Sequence, residues 1–193
     1  MRKIEEKENY IAHKNKENGK IQTIKEHSEN TTRLCMEMSI PELKEINRII
    51  GLLHDIGKYQ NSFQRRMKDE KIRVEHSICG AQIAKKIYEK PFLALAYLME
   101  YCIAGHHSGI PDGGVQNGRP DSLNTRLQRE MEDYSAYQEE LEIPQIDLQK
   151  VINFFAQDIK NDIDFLIDKF AFLTRYCFSC LVDADSEDTA RFC

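Results

Sequence analysis

No apolar run in the sequence approaches the roughly 20 residues that a membrane-spanning helix needs. The opening stretch, Met1 to Lys20, is charged and has no apolar signal core, so nothing points to export and the expected location is the cytoplasm. Strand signals are close to absent, with no sustained period-2 alternation and no hairpin flanked by β-branched runs. There is no internal repeat and no low-complexity tract. No Gly-rich phosphate loop ending in Gly-Lys-Ser or Gly-Lys-Thr occurs, which excludes a helicase or NTPase motor within these residues. Cys177 and Cys180 form a C-x-x-C pair, but no second pair completes a four-thiolate zinc site. Positive charge is also short. Lys and Arg number 27 against 32 Asp and Glu, for a net charge of −5. A protein that grips nucleic acid through its phosphates is ordinarily basic. Either bound divalent cations make the site locally positive, or a larger partner holds the nucleic acid.

What remains is an ordinary globular composition, 41% hydrophobic and 31% charged over 193 residues, enough for one domain with a real core. The chain reads as helices joined by loops. Pro41 followed by Glu42 suits a helix start, and Leu43, Ile46, Ile50 and Leu53 recur at helical spacing. Thr23 to Arg33 and Ser77 to Glu89 are further helices, with Pro91 breaking the second. Phe92 to Ala104 is strongly apolar and is expected at the centre. Phe155, Ile159, Ile163, Leu166, Phe170, Leu173 and Cys177 trace one stripe of a long helix. Asp158, Lys160, Asp164 and Asp168 on its other face read as solvated. Residues 113–145 stand apart. They open on Gly113-Gly114, contain Asn117-Gly118 and Arg119-Pro120, and continue as a charged, expectedly helical segment with Tyr134 and Tyr137. A long polar insertion of this kind is a lid or plain surface, with surface favoured. Of the six cysteines, most sit in apolar helical contexts and read as reduced packing residues.

The chemistry lies in the histidines. His54 is followed by Asp55 within Gly51-Leu-Leu-His-Asp-Ile-Gly-Lys58. Adjacent helical residues point about 100° apart, so both sit at the edge of a buried face. An ionised Asp among Leu52, Leu53 and Ile56 is costly unless paired or bound to a cation. Lys58, three residues after Asp55, can share that face, and Gly57 permits close approach or a helix end. His106-His107 follows the apolar helix, bracketed by Gly105 and Gly109, so the backbone can bend and aim both rings inward. His76 begins a helix and His27 lies on one. Singly, each of these has a plain structural explanation as a surface or paired histidine. Together, imidazole nitrogens and carboxylate oxygens suit Mn, Fe, Ni, Co or Zn. One carboxylate has two oxygens and can bridge two ions, which makes a two-metal phosphoryl-transfer site. At the end of the last apolar helix, Asp183 and Asp185 point to nearly opposite faces, so one of them is expected to join.

The ordered set His27, His54-Asp55, His76, His106-His107, Asp185 resembles the HD phosphohydrolase superfamily, and most closely the HD nuclease of type I CRISPR systems. The resemblance runs from about His13 to the last residue. It is carried also by Ala12-His13-Lys14, Phe63-Gln64, Glu75-His76-Ser77 and Leu181-Val-Asp-Ala-Asp185. It implies an all-α helical bundle, residues 1–193 forming a single HD nuclease domain, with a dinuclear metal site in its core. One divalent transition metal would be held by His27, His54, Asp55 and Asp185, the other by Asp55, His76, His106 and His107, with Asp55 bridging. Asp185 is preferred over Asp183 because Ala184-Asp185 is followed by Thr189, as the family pattern has it. Lys58 would meet a phosphate oxygen or the nucleophile, giving Asp55, Lys58 and His54 the catalytic roles. The implied activity is hydrolysis of single-stranded DNA in type I CRISPR interference. A helicase in cis or in trans and a CRISPR RNA-guided surveillance complex would be its partners. The chain stops without a polar tail, which favours the front part of a helicase fusion over a separate chain. Two other functions compete: an HD phosphohydrolase acting on a small nucleotide, and a catalytically idle interaction module. The idle module has no physical need for so many converging donors.

Overall fold

The computed structural model describes residues 10–67, 73–115, 118–157 and 162–193. A short antiparallel hairpin comes first, β1 (Ile11–Lys14) and β2 (Ile21–Thr23), with Ile11 opposite Thr23 and Lys14 opposite Ile21. Eight helices follow among the described residues: α1 (Ile24–Met38), α2 (Lys44–Leu53), α3 (Asn61–Arg66), α4 (Ser77–Tyr88), α5 (Leu93–Gly105), α6 (Leu123–Leu127), α7 (Leu148–Ala156) and α8 (Ile163–Phe192). Single 3-10 turns precede α2 at Pro41–Leu43 and α3 at Ile56–Tyr59. The class is all-α. The hairpin has too few β-branched residues to announce itself. It is held instead by tertiary bonds: Gln64 accepts from Ile11 N at 3.0 Å and donates to Ile11 O at 3.2 Å.

The core follows the apolar periodicities. Thr23 caps α1 with a full capping box, its hydroxyl accepting from Glu26 N while Glu26 accepts from Thr23 N. Leu43, Ile46, Ile50 and Leu53 are all fully buried. Helix α5 is buried on nearly every side, and α1 pairs with α2, α4 with α5, while α8 closes across α1 and α5. Two glycines set those distances. A Cβ at Gly80 would strike Leu53 O, and one at Gly57 would strike His76 O. Of the two uses expected for Gly57, close approach is the one realised, and it presses the turn after His54-Asp55 against the start of α4.

Three expectations are corrected. His54 and Asp55 do not ride mid-helix. His54 is the C-cap of α2 and Asp55 starts the following turn at φ −110°, ψ 13°. The stripe from Phe155 to Cys177 is not one helix either, because Phe155 belongs to α7 and packs in the core while α8 starts at Ile163. In the first turns of α8, Ile163, Phe165 and Ile167 are exposed, and burial begins only at Leu173. Residues 113–145 do not form a long helix. Among the described residues they hold only α6 and a 3-10 turn at Ser135–Glu139, and they sink Leu123, Leu127, Tyr137 and Leu141 into the core. Asn117, Asp158, Ile159 and Lys160 lie outside the described residues. Cys35, Cys102, Cys177 and Cys180 are buried free thiols where α1, α5 and α8 meet, each pushed up by burial. Among the described residues no helix is long and apolar enough to cross a membrane.

Candidate metal centre

Four chain segments deliver the histidines. Helix α1 carries His27, the end of α2 carries His54, the N-cap of α4 is His76, and α5 ends at His106. In each of these rings Nδ1 faces a fixed acceptor: His27 meets Asp188 Oδ2 at 2.7 Å, His54 meets Gly51 O at 2.8 Å, His106 meets Ile103 O at 2.7 Å, and His76 meets Val74 O at 3.3 Å. A carbonyl or carboxylate oxygen can only accept, so each Nδ1 carries the proton and each Nε2 presents a lone pair. Those lone pairs face one another. Nε2 of His27 lies 3.1 Å from that of His54, and Nε2 of His76 lies 2.7 Å from that of His107.

Asp55 sits between the two groups, fully buried. Its Oδ2 is 3.1 Å from His27 Nε2 and 3.3 Å from His54 Nε2. Its Oδ1 is 3.5 Å from both His76 Nε2 and His106 Nε2. Asp185 Oδ1 completes the first group at 3.2 Å from His27 Nε2. Two clusters result, His27-His54-Asp55-Asp185 and Asp55-His76-His106-His107, each with its ligand atoms within 4.8 Å of one another. Asp183 is exposed and belongs to neither. Neither oxygen of Asp55 nor Nε2 of His106 has a hydrogen-bond partner of good geometry. Buried acceptors aimed at buried acceptors are unfavourable without a positive centre between them. Metal–nitrogen bonds of about 2.0–2.1 Å place neighbouring ligands about 3.0–3.4 Å apart, close to the spacings here. The donor set therefore fits divalent cations.

The charges agree. Burial opposes ionising Asp55, yet Lys58 and His54 hold its carboxyl well below the usual range. Burial also opposes charging His27, but Asp185, Asp188 and Asp55 overcome it and push that imidazole up to about 10, so without a cation a proton takes its place. Burial holds His76 down at about 4, and burial with the neighbouring His106 holds His107 down at about 3; both stay neutral, as ligands must.

A hydrogen-bonded chain that the sequence did not disclose backs the first cluster. Lys58 Nζ, 2.5 Å from Asp55 Oδ2, donates to His13 Nε2 at 3.1 Å. His13 Nδ1 donates to Gln22 Oε1 at 2.9 Å, and Gln22 Nε2 donates to Asp188 Oδ2 at 2.7 Å. Asp188 in turn orients His27. Arg126 does the same work for the second cluster. It donates to Ala104 O at 2.9 Å, to Ser77 Oγ at 2.8 Å and to Glu75 at 3.2 Å, tying the end of α5 to the start of α4. Neither Asp188 nor Arg126 stands out among its charged neighbours in sequence.

The family model for the HD domain matches residues 24–146, nearly two thirds of the chain. The chain belongs to the HD domain family. Membership makes it a metal-dependent hydrolase, with six of the seven clustered His and Asp side chains inside the matched span of this HD domain and Asp185 beyond it on α8. No curated protein matches the sequence.

Proposed function

We propose that this HD domain is a nuclease that cuts single-stranded DNA in type I CRISPR interference, working in the cytoplasm. A helicase, in cis or in trans, and an RNA-guided surveillance complex would deliver its strand. The observation that carries the reading is the division of Asp55, one oxygen facing each cluster. Two divalent cations so held would supply Lewis acidity for displacement at phosphorus and would activate a water. His27, His54, Asp55 and Asp185 would hold one ion, and Asp55, His76, His106 and His107 the other. Asp188, through His27 Nδ1, fixes the imidazole that joins α1 to α8. Lys58 lies between Asp55 and His13 at the floor of an open cleft, placed to meet a phosphate oxygen. His107, at the rim, leaves the second cluster open to substrate.

The test uses chain stripped with EDTA and reloaded separately with manganese, iron(II), nickel, cobalt, zinc or magnesium. Matched single-stranded and duplex oligonucleotides are offered, beside dNTPs and cyclic dinucleotides. Cutting of the single strand with a transition metal, and little with magnesium, which prefers oxygen ligands, is the expected result. Equal cutting of the duplex, or hydrolysis of nucleotides alone, overturns it.

A further inference from the structure

Although the chain is acidic overall, its charge is not evenly spread. A cleft of about 570 Å³ opens onto the second cluster, with Lys58 on its floor and His76 and His107 at its inner end. Lys14 on β1, Lys16 in the hairpin turn and Arg66 at the end of α3 line its outer part. Among the described residues none of the side chains lining it is acidic, in a chain with 32 carboxylates. A second cleft of about 600 Å³ starts on the other side of His76 and His107. It also holds arginines, but Arg126 and Arg129 are both engaged by Glu75, at 3.2 and 3.3 Å, and Asp112 and Asp121 line it too. The centre is thus flanked by a groove lined by Lys and Arg side chains on one side and by one lined with both signs of charge on the other.

We infer that the hairpin and α3 form a phosphate-binding arm, in which Lys14, Lys16 and Arg66 grip the backbone of a single nucleic acid strand on one side of the scissile phosphate. The inference rests on the nuclease reading and sharpens it by naming the residues that hold the strand. Three cations along one open groove suit successive phosphates of a polymer. A mononucleotide site would instead enclose its ligand on most sides. The arrangement also accounts for strand affinity in an acidic protein without assigning all of it to a partner. Gln64 makes the groove a fixed one: besides its two bonds to Ile11 it donates to Lys58 O at 2.7 Å, so the hairpin is latched to the turn that carries Lys58. Arg66 is steadied over the Phe63 ring, 5.4 Å from its centre.

The experiment measures binding of a fluorescein-labelled 20-nucleotide oligothymidylate to the full chain in EDTA, by anisotropy, across a salt series. Binding without metal separates the grip from the chemistry. Three phosphate contacts give a slope of log K against log salt of about −2, at roughly 0.7 per contact for single strands. Lys14→Glu/Arg66→Glu should weaken binding at least about tenfold at low salt and remove about 1.4 of that slope. Lys86→Glu/Lys90→Glu, an equal charge change at the far end of α4, should stay close to the parent. Should Arg66→Glu disturb the packing of α3, Lys14→Glu/Lys16→Glu carries the same test on exposed side chains alone. Equal losses in the two double variants, no loss in the cleft variant, or displacement of the oligomer by dTTP at matched nucleotide concentration each overturn the arm. Manganese-dependent hydrolysis of bis(p-nitrophenyl) phosphate by the parent chain is followed in parallel. Hydrolysis beside unchanged DNA binding overturns the arm and leaves the centre. A cleft effect without hydrolysis overturns the reading of the centre and leaves the arm.

Discussion

Asp55 faces two groups of imidazoles at once, and its replacement leaves each of them short of an acceptor. Asp55→Ala should abolish both metal binding and hydrolysis; two equivalents of bound metal by elemental analysis in that variant would contradict the bridging role. Asp188 touches no ligand atom of the pair directly, yet it fixes the tautomer of His27. Asp188→Asn should lower affinity at the first cluster about 10–100-fold, as losses of such supporting carboxylates do, while the second cluster keeps its metal. Competitive titration against a chelating dye reads the two separately. Glu100 on α5 lies outside this chemistry. It is fully buried, its Oε2 has no partner, and burial raises it to about 7 from 4.5, with Lys85 opposing and Glu89 adding to the rise. The folded chain therefore binds the extra proton between those values. Stability is full below about pH 4.5, falls as pH rises to about 7, and is flat above. Glu100→Gln should be more stable than the parent at about pH 8, by on the order of 3 kcal/mol, and equal to it near pH 4.5. Urea melts at the two pH values check this. The pairs His54-Asp55 and His106-His107 were legible because their members are neighbours in sequence. Asp188 was not, because it sits among Asp183, Asp185 and Glu187, and only a contact 161 residues away distinguishes it.

Helix α2 is where periodicity reads well, since its apolar residues share one buried face, while α5 was legible instead as an unbroken apolar run that is buried on nearly every side. Helix α8 shows the limit of that argument. Its apolar spacing continues back to Ile163, but α1 and α5 reach only its later turns, so Phe165, Ile167 and Phe172 stay exposed. Periodicity states that a helix has an apolar face; it does not state that another element covers it. Residues 113–145 mislead in the opposite way. Their polar composition hides Leu123, Tyr137 and Leu141, which reach the core one at a time from a short helix, a 3-10 turn and the loop after it. At this scale the glycines are the sharpest probes. Gly57→Ala drives a methyl group into His76 O and must push the start of α4 away from the turn after Asp55. The expected outcome is a loss of about 1–3 kcal/mol together with weakened metal at the second cluster only. A variant that melts with the parent and keeps both metals would show that this approach does not set the distance between the clusters.

Considered whole, the domain is a set of packed helices around a knot of buried histidines and aspartates placed to hold cations. Metal should therefore stabilise the entire fold. At a manganese concentration 100 times its dissociation constant the gain is about 2.7 kcal/mol, roughly 5–11 °C of melting temperature for a chain of this size. Asp55→Ala should lose that shift, and thermal melts with and without EDTA measure it. The order in which the ligands occur along the chain has a further consequence. His54, Asp55, His76, His106 and His107 all lie in one stretch, whereas the first cluster also needs Asp185, on a helix that closes against α1 from the far end of the sequence. During synthesis at about 5–20 residues per second, the roughly 80 residues between His107 and Asp185 take on the order of 4–16 s. For that interval every donor of the second cluster has been made, while the first still lacks Asp185. The second cluster can therefore assemble before the first, whose Asp185 arrives only with α8.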